Sequence, residues 1–491
     1  MNKNMSDTLP VICENAGRTI EVAMGTTLLE VERQLRLDGP HPFLAAYVNN
    51  RIKELNYRIY KPVTVRFIDI TSFEGIRVYQ RTISFILQKA VRELFPDRTL
   101  YIRHSLGASG FYCEISGFGP IPAEHLDAIK ARMRGIIDRN LPIQGVKMLT
   151  DTARKIYEGF GMADKIALLD SRPRLYSKIY TIDSLPGYFY GALTPSTGYT
   201  PQFDLHPYYN GFFIALPLRT DPTRLHQSVH QEKMFDVFHQ YQSWVEIMGV
   251  PTVGQLNSKV LAGDASELIK IAEAFHENKL AQVAGCVAEA NRERGVRLVL
   301  ISGPSSSGKT TFAKRLGVQL RVLGLNPVLI SLDDYFVDRE KTPRDEKGEY
   351  DYEALEAIDL EQFNDHLKRL ERGESVDIPR YDFISGTRQW HDNPLQLDER
   401  SVPRRIKTSR KKLRPSLFSR RLIVKIFLQS TSVKPSVALI SSNRSRNLLW
   451  SSSITTSELL MIASLTIGLP TISCISCVTT PTEAQNLRAV L

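Results

Sequence analysis

The stretch VRLVLISGPSSSGKTT, residues 296–311, constrains the fold of this chain more than any other. Its apolar part, Leu298 to Ile301, has the length and β-branched content of a buried strand, and a helical pattern follows the glycine-rich loop. The fixed places of the motif GxxxxGK[ST] are filled by Gly303, Gly308, Lys309 and Thr310. A strand, this loop and a helix in succession predict a phosphate-binding loop in a parallel α/β domain.

The loop predicts binding of a nucleotide polyphosphate. Glycines and small serines let successive backbone N–H groups turn toward phosphate, and the helix directs the positive end of its dipole at the same charge. Lys309 would contact the β and γ phosphates, and the Thr310 hydroxyl would bind Mg²⁺. The predicted nucleotide site comprises Gly303, Pro304, Ser305, Ser306, Ser307, Gly308, Lys309, Thr310 and Thr311. The motif leaves the reaction open.

Length and charge predict several domains and an unusual C-terminal region. A chain of 491 residues is too long for one core, so two to four domains are expected. The formal net charge is +10, but residues 401–491 carry +12 and residues 1–400 carry −2. The body of the protein is therefore nearly neutral, and the basic character belongs to the tail.

Cysteine content and hydropathy predict a soluble cytoplasmic protein. The five cysteines are too few and too scattered for a disulfide framework, which favours a reducing compartment. The longest apolar run, Leu459 to Leu469, is too short to span a bilayer and ends at Pro470. No membrane partner is expected.

The N-terminal residues predict a small mixed domain. Thr27 can cap a helix over Leu28 to Leu35. Strand patterns fall at Arg18 to Ala23, Ala45 to Val48 and Val63 to Ile70. This order resembles the ubiquitin-like TGS module of threonyl-tRNA synthetases, which implies a β-grasp domain over residues 1–70.

The next segment resembles the second additional domain that follows TGS in those synthetases. The resemblance rests on LFP at residues 94–96, SLGASGFYCE at residues 105–114 and an amphipathic helix over Leu126 to Ile136, and it implies an α+β domain over residues 71–221. In that family an HxxxH motif before LFP binds zinc for tRNA editing. The two matching places here are Arg81 and Phe85, which cannot serve as zinc ligands. RNA binding, small-molecule binding and scaffolding stay open.

Two further stretches lie before the phosphate loop. Aromatic residues crowd 188–213 and predict either strands packed by aromatic pairs or a base-stacking surface; the absence of interleaved Lys or Arg favours the first. Residues 222–294 predict a helical linker, with His226 and His230 on one solvated helical face.

An acidic pair follows the next predicted strand. The apolar run Pro327 to Leu332 ends in Asp333 and Asp334, and ligands gather at the carboxyl ends of strands in a parallel sheet. One carboxylate could accept the proton of an attacking hydroxyl while the other orients it or holds Mg²⁺ through water. A helix cap is the alternative.

The residues around and after this pair resemble the uridine/cytidine kinase branch of the phosphoribulokinase and uridine kinase superfamily. The resemblance covers SLDDYF, then residues 350–352, 378–383 and Arg388. It implies that Asp333 is the general base on a ribose 5′-hydroxyl and that Asp351 binds the sugar hydroxyls. Tyr381 and Phe383 would flank the base, with Arg388 also in the substrate site.

Two departures from that family bear on activity. A His that reads the pyrimidine is replaced by Gly386, which puts pyrimidine preference in doubt. After about residue 402 neither the third core strand nor the arginine-bearing lid helix is recognisable, so the kinase domain at 295–401 looks incomplete. The tail at 402–491 is either a change of reading frame near codon 402 or a basic nucleic-acid-binding extension, and resequencing distinguishes them.

The sequence thus predicts an α/β multidomain protein with a P-loop kinase domain behind β-grasp and synthetase-like α+β domains. The leading interpretation is an ATP-dependent, Mg²⁺-requiring kinase for a small acceptor such as uridine or cytidine, with Lys309 and Asp333 as catalytic residues. A nucleotide-sensing protein that binds RNA through the N-terminal half is an alternative. A kinase for a non-nucleoside alcohol is another.

Overall fold

The chain divides into two compact units in a computed structural model that describes residues 8–106, 109–227, 230–303, 307–346, 348–352, 354–390, 394–396, 421–428, 461–466 and 469–478. The first unit comprises Met1–Val229 and Gly249–Ala262. The second comprises His230–Met248 and Gly263–Leu491. The α/β architecture predicted from the sequence is confirmed in both.

The first unit begins with a five-stranded sheet in the order β2-β1-β5-β3-β4. Its elements are β1 (Thr8–Cys13), β2 (Arg18–Ala23), α1 (Leu28–Leu35), β3 (Ala45–Val48), β4 (Arg51–Glu54) and β5 (Val63–Ile68). β1 and β5 are parallel and the other pairs antiparallel. Apolar residues that alternate along the strands pack on α1 around Val11, Val31 and Val65. The helix that Thr27 was predicted to cap is confirmed to the residue.

A longer α+β region follows and surrounds helix α2. Its elements are α2 (Phe73–Leu94), β6 (Leu100–Ser105), β7 (Gly110–Ile115), α3 (Ala123–Asp138), β8 (Ile143–Leu149), α4 (Thr150–Gly159), α5 (Ala163–Asp170), β9 (Tyr176–Ile182), β10 (Leu185–Gly187), β11 (Asp204–Tyr208), β12 (Gly211–Ala215), β13 (Pro217–Leu218) and β14 (Asp221–Leu225). Sheets β10-β9-β8 and β11-β12-β7-β6 share one core with α2 and α3, which includes Ile83, Phe85 and Ile129.

The remaining helices and the second unit follow in chain order. They are α6 (Glu232–Ile247), α7 (Val253–Leu261), which belongs to the first unit, α8 (Ala265–Arg294), β15 (Leu298–Gly303), α9 (Lys309–Val322), β16 (Asn326–Ser331), α10 (Leu360–Glu371), β17 (Ser375–Val376), β18 (Arg380–Asp382), β19 (Thr387–Gln389), β20 (Leu395–Gln396), β21 (Arg421–Leu428), β22 (Met461–Thr466) and β23 (Leu469–Val478). No described helix is long and apolar enough to cross a membrane.

The central sheet of the second unit corrects one expectation. Its order is β16-β21-β15-β23-β22, with β21 parallel to both β15 and β16. A third core strand is not recognisable in the sequence beyond residue 402, yet residues 421–428 form a strand between β15 and β16. The run RLIVKIFL has the β-branched and aromatic content that suits a strand. It lies in a segment rich in Lys, Arg and Ser, so its strand pattern is not evident from the sequence. The prediction that the lid helix is missing concerns residues that lie mainly outside the described part of the chain.

The prediction that helix begins near residue 222 is also wrong. Asp221–Leu225 is strand β14, which pairs with β13, and α6 begins only at Glu232. His226 and His230 therefore precede that helix and do not share a helical face. A pairing between two short strands is not visible in local helical periodicity.

Candidate active site

The phosphate loop connects the end of β15 to the first turn of α9. Val299 and Ile301 are fully buried and fix the strand, which ends at Gly303. Gly308 precedes the helix with φ +81°, a left-handed conformation that favours glycine. The predicted contacts of Pro304, Ser305 and Ser306 lie outside the described residues.

The described part of the loop offers hydrogen-bond donors that suit a phosphate group. The Ser307 hydroxyl oxygen is buried and has no hydrogen-bond partner among the residues that the structure describes. The Lys309 side chain is 7% exposed, while Thr310 and Thr311 in the first turn of α9 are exposed. A buried hydroxyl and the free amides of a helix N-terminus are the donors that a polyphosphate requires. Residues at this position therefore fit a nucleotide and its metal ion.

The acidic pair follows β16 in a 3-10 turn, Leu332–Tyr335. The Ser331 side chain accepts a hydrogen bond from the Asp333 N–H at 3.3 Å, and Leu332 and Tyr335 are buried, so the turn is held on both sides. Asp333 and Asp334 are half-buried. Both carboxylates thus lie at the carboxyl end of a parallel strand.

Lys309 and Asp333 interact electrostatically across the ends of β15 and β16. Burial raises the pKa of Asp333, and the Lys309 ammonium opposes that shift. Burial lowers the pKa of Lys309, and Asp333 opposes it in turn. Burial and then the neighbouring Asp333 raise the pKa of Asp334. The arrangement sets the Lys309 ammonium beside Asp333, and both carboxylates of the acidic pair have an increased affinity for a proton.

A cluster of aromatic rings adjoins the acidic turn. Phe336 lies 5.5 Å from Tyr381, 5.8 Å from Phe383 and 6.1 Å from Tyr352, measured between ring centroids. Tyr381 and Phe383 form an edge-to-face pair at 4.9 Å. The Tyr381 ring is 5% exposed and that of Phe383 57% exposed. The structure thus brings together the two aromatic residues that the sequence assigned to the acceptor.

Asp351 and Arg388 occupy different environments. Asp351 is half-buried beside Tyr352, and its backbone N–H donates to the Pro343 carbonyl at 2.7 Å. Arg388 donates to the Asp359 carboxylate and to backbone carbonyls of the acidic turn. The guanidinium of Arg388 therefore serves the packing of the turn, whereas Asp351 lies beside the aromatic cluster.

Sequence reasoning did not identify Arg339 as a site residue. Its guanidinium donates to the Tyr352 hydroxyl at 3.1 Å and to the Phe383 carbonyl at 2.9 Å. These contacts place a cation at the edge of the aromatic cluster. The unusual glycine at position 386, which lies against Arg339, is the one signal in the sequence that could have drawn attention to it.

In the first unit, Arg81 and Phe85 lie on α2 and hold neighbouring backbone in place. Arg81 donates to the Ala192 carbonyl at 2.9 Å, and the buried Phe85 ring contacts Phe189 at 5.1 Å. Among the described residues no group of three His, Cys, Asp or Glu side chains is arranged to hold a metal ion.

Basic side chains from outside the aromatic stretch at 188–213 contact aromatic rings in it and next to it. Arg172 donates to the hydroxyls of Tyr188 and Tyr190, and just before the stretch Lys178 lies 4.6 Å from the centre of the Tyr180 ring. The stretch itself contains no Lys or Arg, so the sequence argument against a stacking surface misses side chains that the fold supplies. Cations over aromatic faces are favourable contacts and also occur in nucleic-acid-binding surfaces.

A phosphate loop after β15 and an acidic pair at the end of β16, two strands of the parallel part of one sheet, define the second unit as a P-loop kinase domain. Residues 298–402 match the family described as Phosphoribulokinase / Uridine kinase. The match ends at residue 402, where the composition of the chain changes.

The N-terminal region is similar to bacterial threonine–tRNA ligases. That of Clostridium kluyveri is 28% identical over 157 residues, which cover 32% of this chain and 24% of the relative. That of Symbiobacterium thermophilum is 29% identical over 190 residues, which cover 38% and 29%. The chain thus spans less than a third of the length of these relatives. A solved structure of a possible uridine kinase from Bacillus stearothermophilus is 22% identical, covers 32% of this chain and 73% of its own, and has a TM-score of 0.23.

Proposed function

We propose that the chain transfers the γ-phosphoryl group of ATP to the hydroxyl of a small acceptor, and that a nucleoside such as uridine or cytidine is the leading acceptor. One observation carries the proposal: Lys309 of the phosphate loop and the half-buried carboxylate of Asp333, at the ends of two parallel strands of one sheet, are near enough to interact electrostatically. A cation for the donor phosphates beside a base for the acceptor is what phosphoryl transfer requires.

Each residue has a role in the transfer. The loop amides, the Ser307 hydroxyl and Lys309 bind the donor phosphates, and Lys309 stabilises the charge that spreads over the transferred group. Asp333 accepts the proton of the acceptor hydroxyl as its oxygen bonds to the γ phosphorus and the bond to ADP breaks. Asp351 and the aromatic cluster hold the acceptor.

Magnesium would be held by the Thr310 hydroxyl together with donor phosphate oxygens, where it would neutralise developing negative charge. Thr310 is exposed in the first turn of α9 and is free to face a bound nucleotide.

The two buried described cysteines, Cys13 and Cys113, are free thiols, which supports the proposed cytoplasmic location.

Asp333→Asn in the full-length chain tests the assignment. Initial rates of transfer from ATP and from GTP are measured on a panel of nucleosides and non-nucleoside alcohols. We expect kcat on the best acceptor to fall about 100-fold or more, because a general base contributes that much. Asp365→Asn, an exposed carboxylate on α10, is the matched control. Unchanged kcat in Asp333→Asn rules out the base, and an inactive wild-type chain on the whole panel rules out the kinase.

RNA binding by the first unit is a second candidate function. It is favoured by the cations over Tyr180 and Tyr190, together with Lys147 at 5.1 Å from the Tyr176 ring. Filter binding of tRNA to the full chain tests it, with Arg172→Gln and Lys178→Gln compared with Lys270→Gln on α8. We expect the first two substitutions to weaken binding about tenfold together. Equal retention of tRNA by all variants contradicts this function.

A further inference from the structure

Arg339 and Gly386 are packed so closely that each requires the other. Gly386 has φ +72°, and a Cβ there would lie 2.6 Å from Nε and 2.8 Å from Cζ of Arg339. The Arg339 N–H also donates to the Gly386 carbonyl at 2.8 Å. Any side chain at 386 would be strained and would displace the guanidinium. The glycine therefore fixes where the charge of Arg339 lies.

The guanidinium is oriented by its own hydrogen bonds. Nε donates to the Tyr352 hydroxyl at 3.1 Å, and Nη2 donates to the carbonyls of Phe383 at 2.9 Å and Ile384 at 3.5 Å. Among the described residues no hydrogen bond engages Nη1. Arg339 is half-buried. A charged donor is thus held at the edge of the aromatic cluster with one nitrogen still able to bind.

A second donor of the cluster also lacks a partner. The Tyr381 hydroxyl is buried and makes no hydrogen bond to described residues, although its ring is 95% buried against Phe336 and Phe383. A buried hydroxyl without a partner is destabilising, so its retention points to a ligand atom that pairs with it. The Tyr381 N–H in turn donates to the Asp334 carboxylate, which ties the ring to the acidic turn.

We propose that Arg339 is a specificity-determining residue that selects acceptors bearing a carbonyl oxygen over those bearing an amino group. This rests on the proposed function, in which the aromatic cluster holds the base of a nucleoside. A guanidinium has only donors, so it can pair with an oxygen but not with an amino group, whereas the Tyr381 hydroxyl can donate or accept and does not discriminate by itself. The C4 carbonyl of uracil or the C6 carbonyl of hypoxanthine satisfies Arg339, whereas the amino group that cytosine or adenine carries at that position meets a donor with another donor. A polar site that loses its partner discriminates strongly.

The test compares four nucleosides in the full-length chain. We measure kcat/KM and, by calorimetry, Kd for uridine, cytidine, inosine and adenosine, with ATP as donor. We expect uridine and inosine to exceed cytidine and adenosine by about tenfold or more in both quantities. Arg339→Gln should bring the ratio toward one, because an amide offers an oxygen to the amino group as well as a donor to the carbonyl.

Two further variants separate specificity from folding. Gly386→Ala should reduce the ratio by displacing Arg339, whereas Tyr381→Phe should weaken binding of all four nucleosides and leave the ratio in place, because the lost hydroxyl can both donate and accept. Arg372→Gln, at an exposed arginine that directly follows the last residue of α10, should leave it unchanged. Equal preference for carbonyl and amino nucleosides in an active wild type, or an unchanged ratio in Arg339→Gln, overturns the inference. A chain that neither binds nor phosphorylates any nucleoside overturns the proposed acceptor class and this inference with it.

Discussion

Arg388 and Asp359 form an ion pair, with Nη1 3.0 Å from the carboxylate, that joins two parts of the kinase domain. Asp359 caps α10 by accepting from the Gln362 N–H at 3.0 Å, while Arg388 also donates to the carbonyls of Tyr335 at 3.3 Å and Phe336 at 3.1 Å. One guanidinium thus connects the helix cap to the turn that carries the acidic pair. The orientation of Asp333 and Asp334 therefore depends on Arg388, which lies outside their turn.

Arg388→Gln is expected to lower the free energy of unfolding of the second unit by about 2 kcal/mol, since it leaves buried acceptors without their charged donor. Urea unfolding followed by circular dichroism measures the change, and Arg372→Gln is the control.

Burial raises the pKa of Asp359, but its hydrogen bonds to Gln362 and Arg388 outweigh this and hold the pKa below the usual value. The stabilisation is therefore present above about pH 4 and is lost as pH falls further. A difference between variant and wild type that persists in acid contradicts the role of the ion pair.

Two helical glycines of the first unit should respond in opposite directions to alanine. A Cβ at Gly75 would lie 1.7 Å from the Asp69 carbonyl oxygen, whereas one at Gly135 meets nothing within 4 Å. Gly75→Ala should cost more than about 2 kcal/mol because backbone must move. Gly135→Ala should gain about 0.5–1 kcal/mol from helix propensity. Thermal unfolding of the two variants measures this contrast, and equal shifts in the same direction would be inconsistent with the packing.

Local signals in the sequence identified the β-grasp elements and the phosphate loop. The capping residue Thr27, the alternation at Arg18–Ala23 and the loop motif act over a few residues, so the sequence alone contains them. The helix predicted over Leu126 to Ile136 is confirmed but extends over Ala123–Asp138. Ends of helices depend on caps and packing that periodicity does not include.

Contacts distant along the chain could not be predicted. The family resemblance assigns both Arg388 and Tyr381 to the substrate site. The structure instead pairs Arg388 with Asp359, a residue 29 positions away in the chain. Arg339 is an ordinary charged residue in the sequence, and only its approach to Gly386 gives it a place beside the aromatic cluster. Arg172 likewise reaches Tyr190 although the two residues are 18 apart in the chain. Residue type indicated the chemistry of the site, but the fold decides which side chains share it.

The capping box of α1 should contribute measurably to the stability of the β-grasp region. The Thr27 hydroxyl accepts from the Glu30 N–H at 3.2 Å, and the Glu30 carboxylate accepts from the Thr27 N–H at 2.7 Å. Thr27→Ala should cost about 1 kcal/mol, as losses of such caps do. Thr19→Ala on β2, where the side chain is exposed, is the comparison. If chemical denaturation gives no larger loss in the free energy of unfolding for Thr27→Ala than for Thr19→Ala, the cap makes no measurable contribution to stability.

The acidic limb of the pH–rate profile should report the balance between Lys309 and Asp333. The base must be ionised to accept a proton, so kcat/KM should rise with pH through the Asp333 pKa, which burial raises above its usual value of 3.8. Lys309 opposes that rise, so Lys309→Gln should raise the Asp333 pKa further and move the limb to higher pH.

Profiles of wild type, Lys309→Gln and Lys314→Gln measured between about pH 4 and pH 9 test this shift, since that window spans the ionisation of a buried carboxylate. Lys314 lies on the same helix outside the loop, so its removal should leave the limb in place. Asp333→Asn should abolish the limb in the residual activity. A limb that stays fixed or moves to lower pH in Lys309→Gln would mean that the two side chains are not coupled during the reaction, and the catalytic pairing would then be wrong.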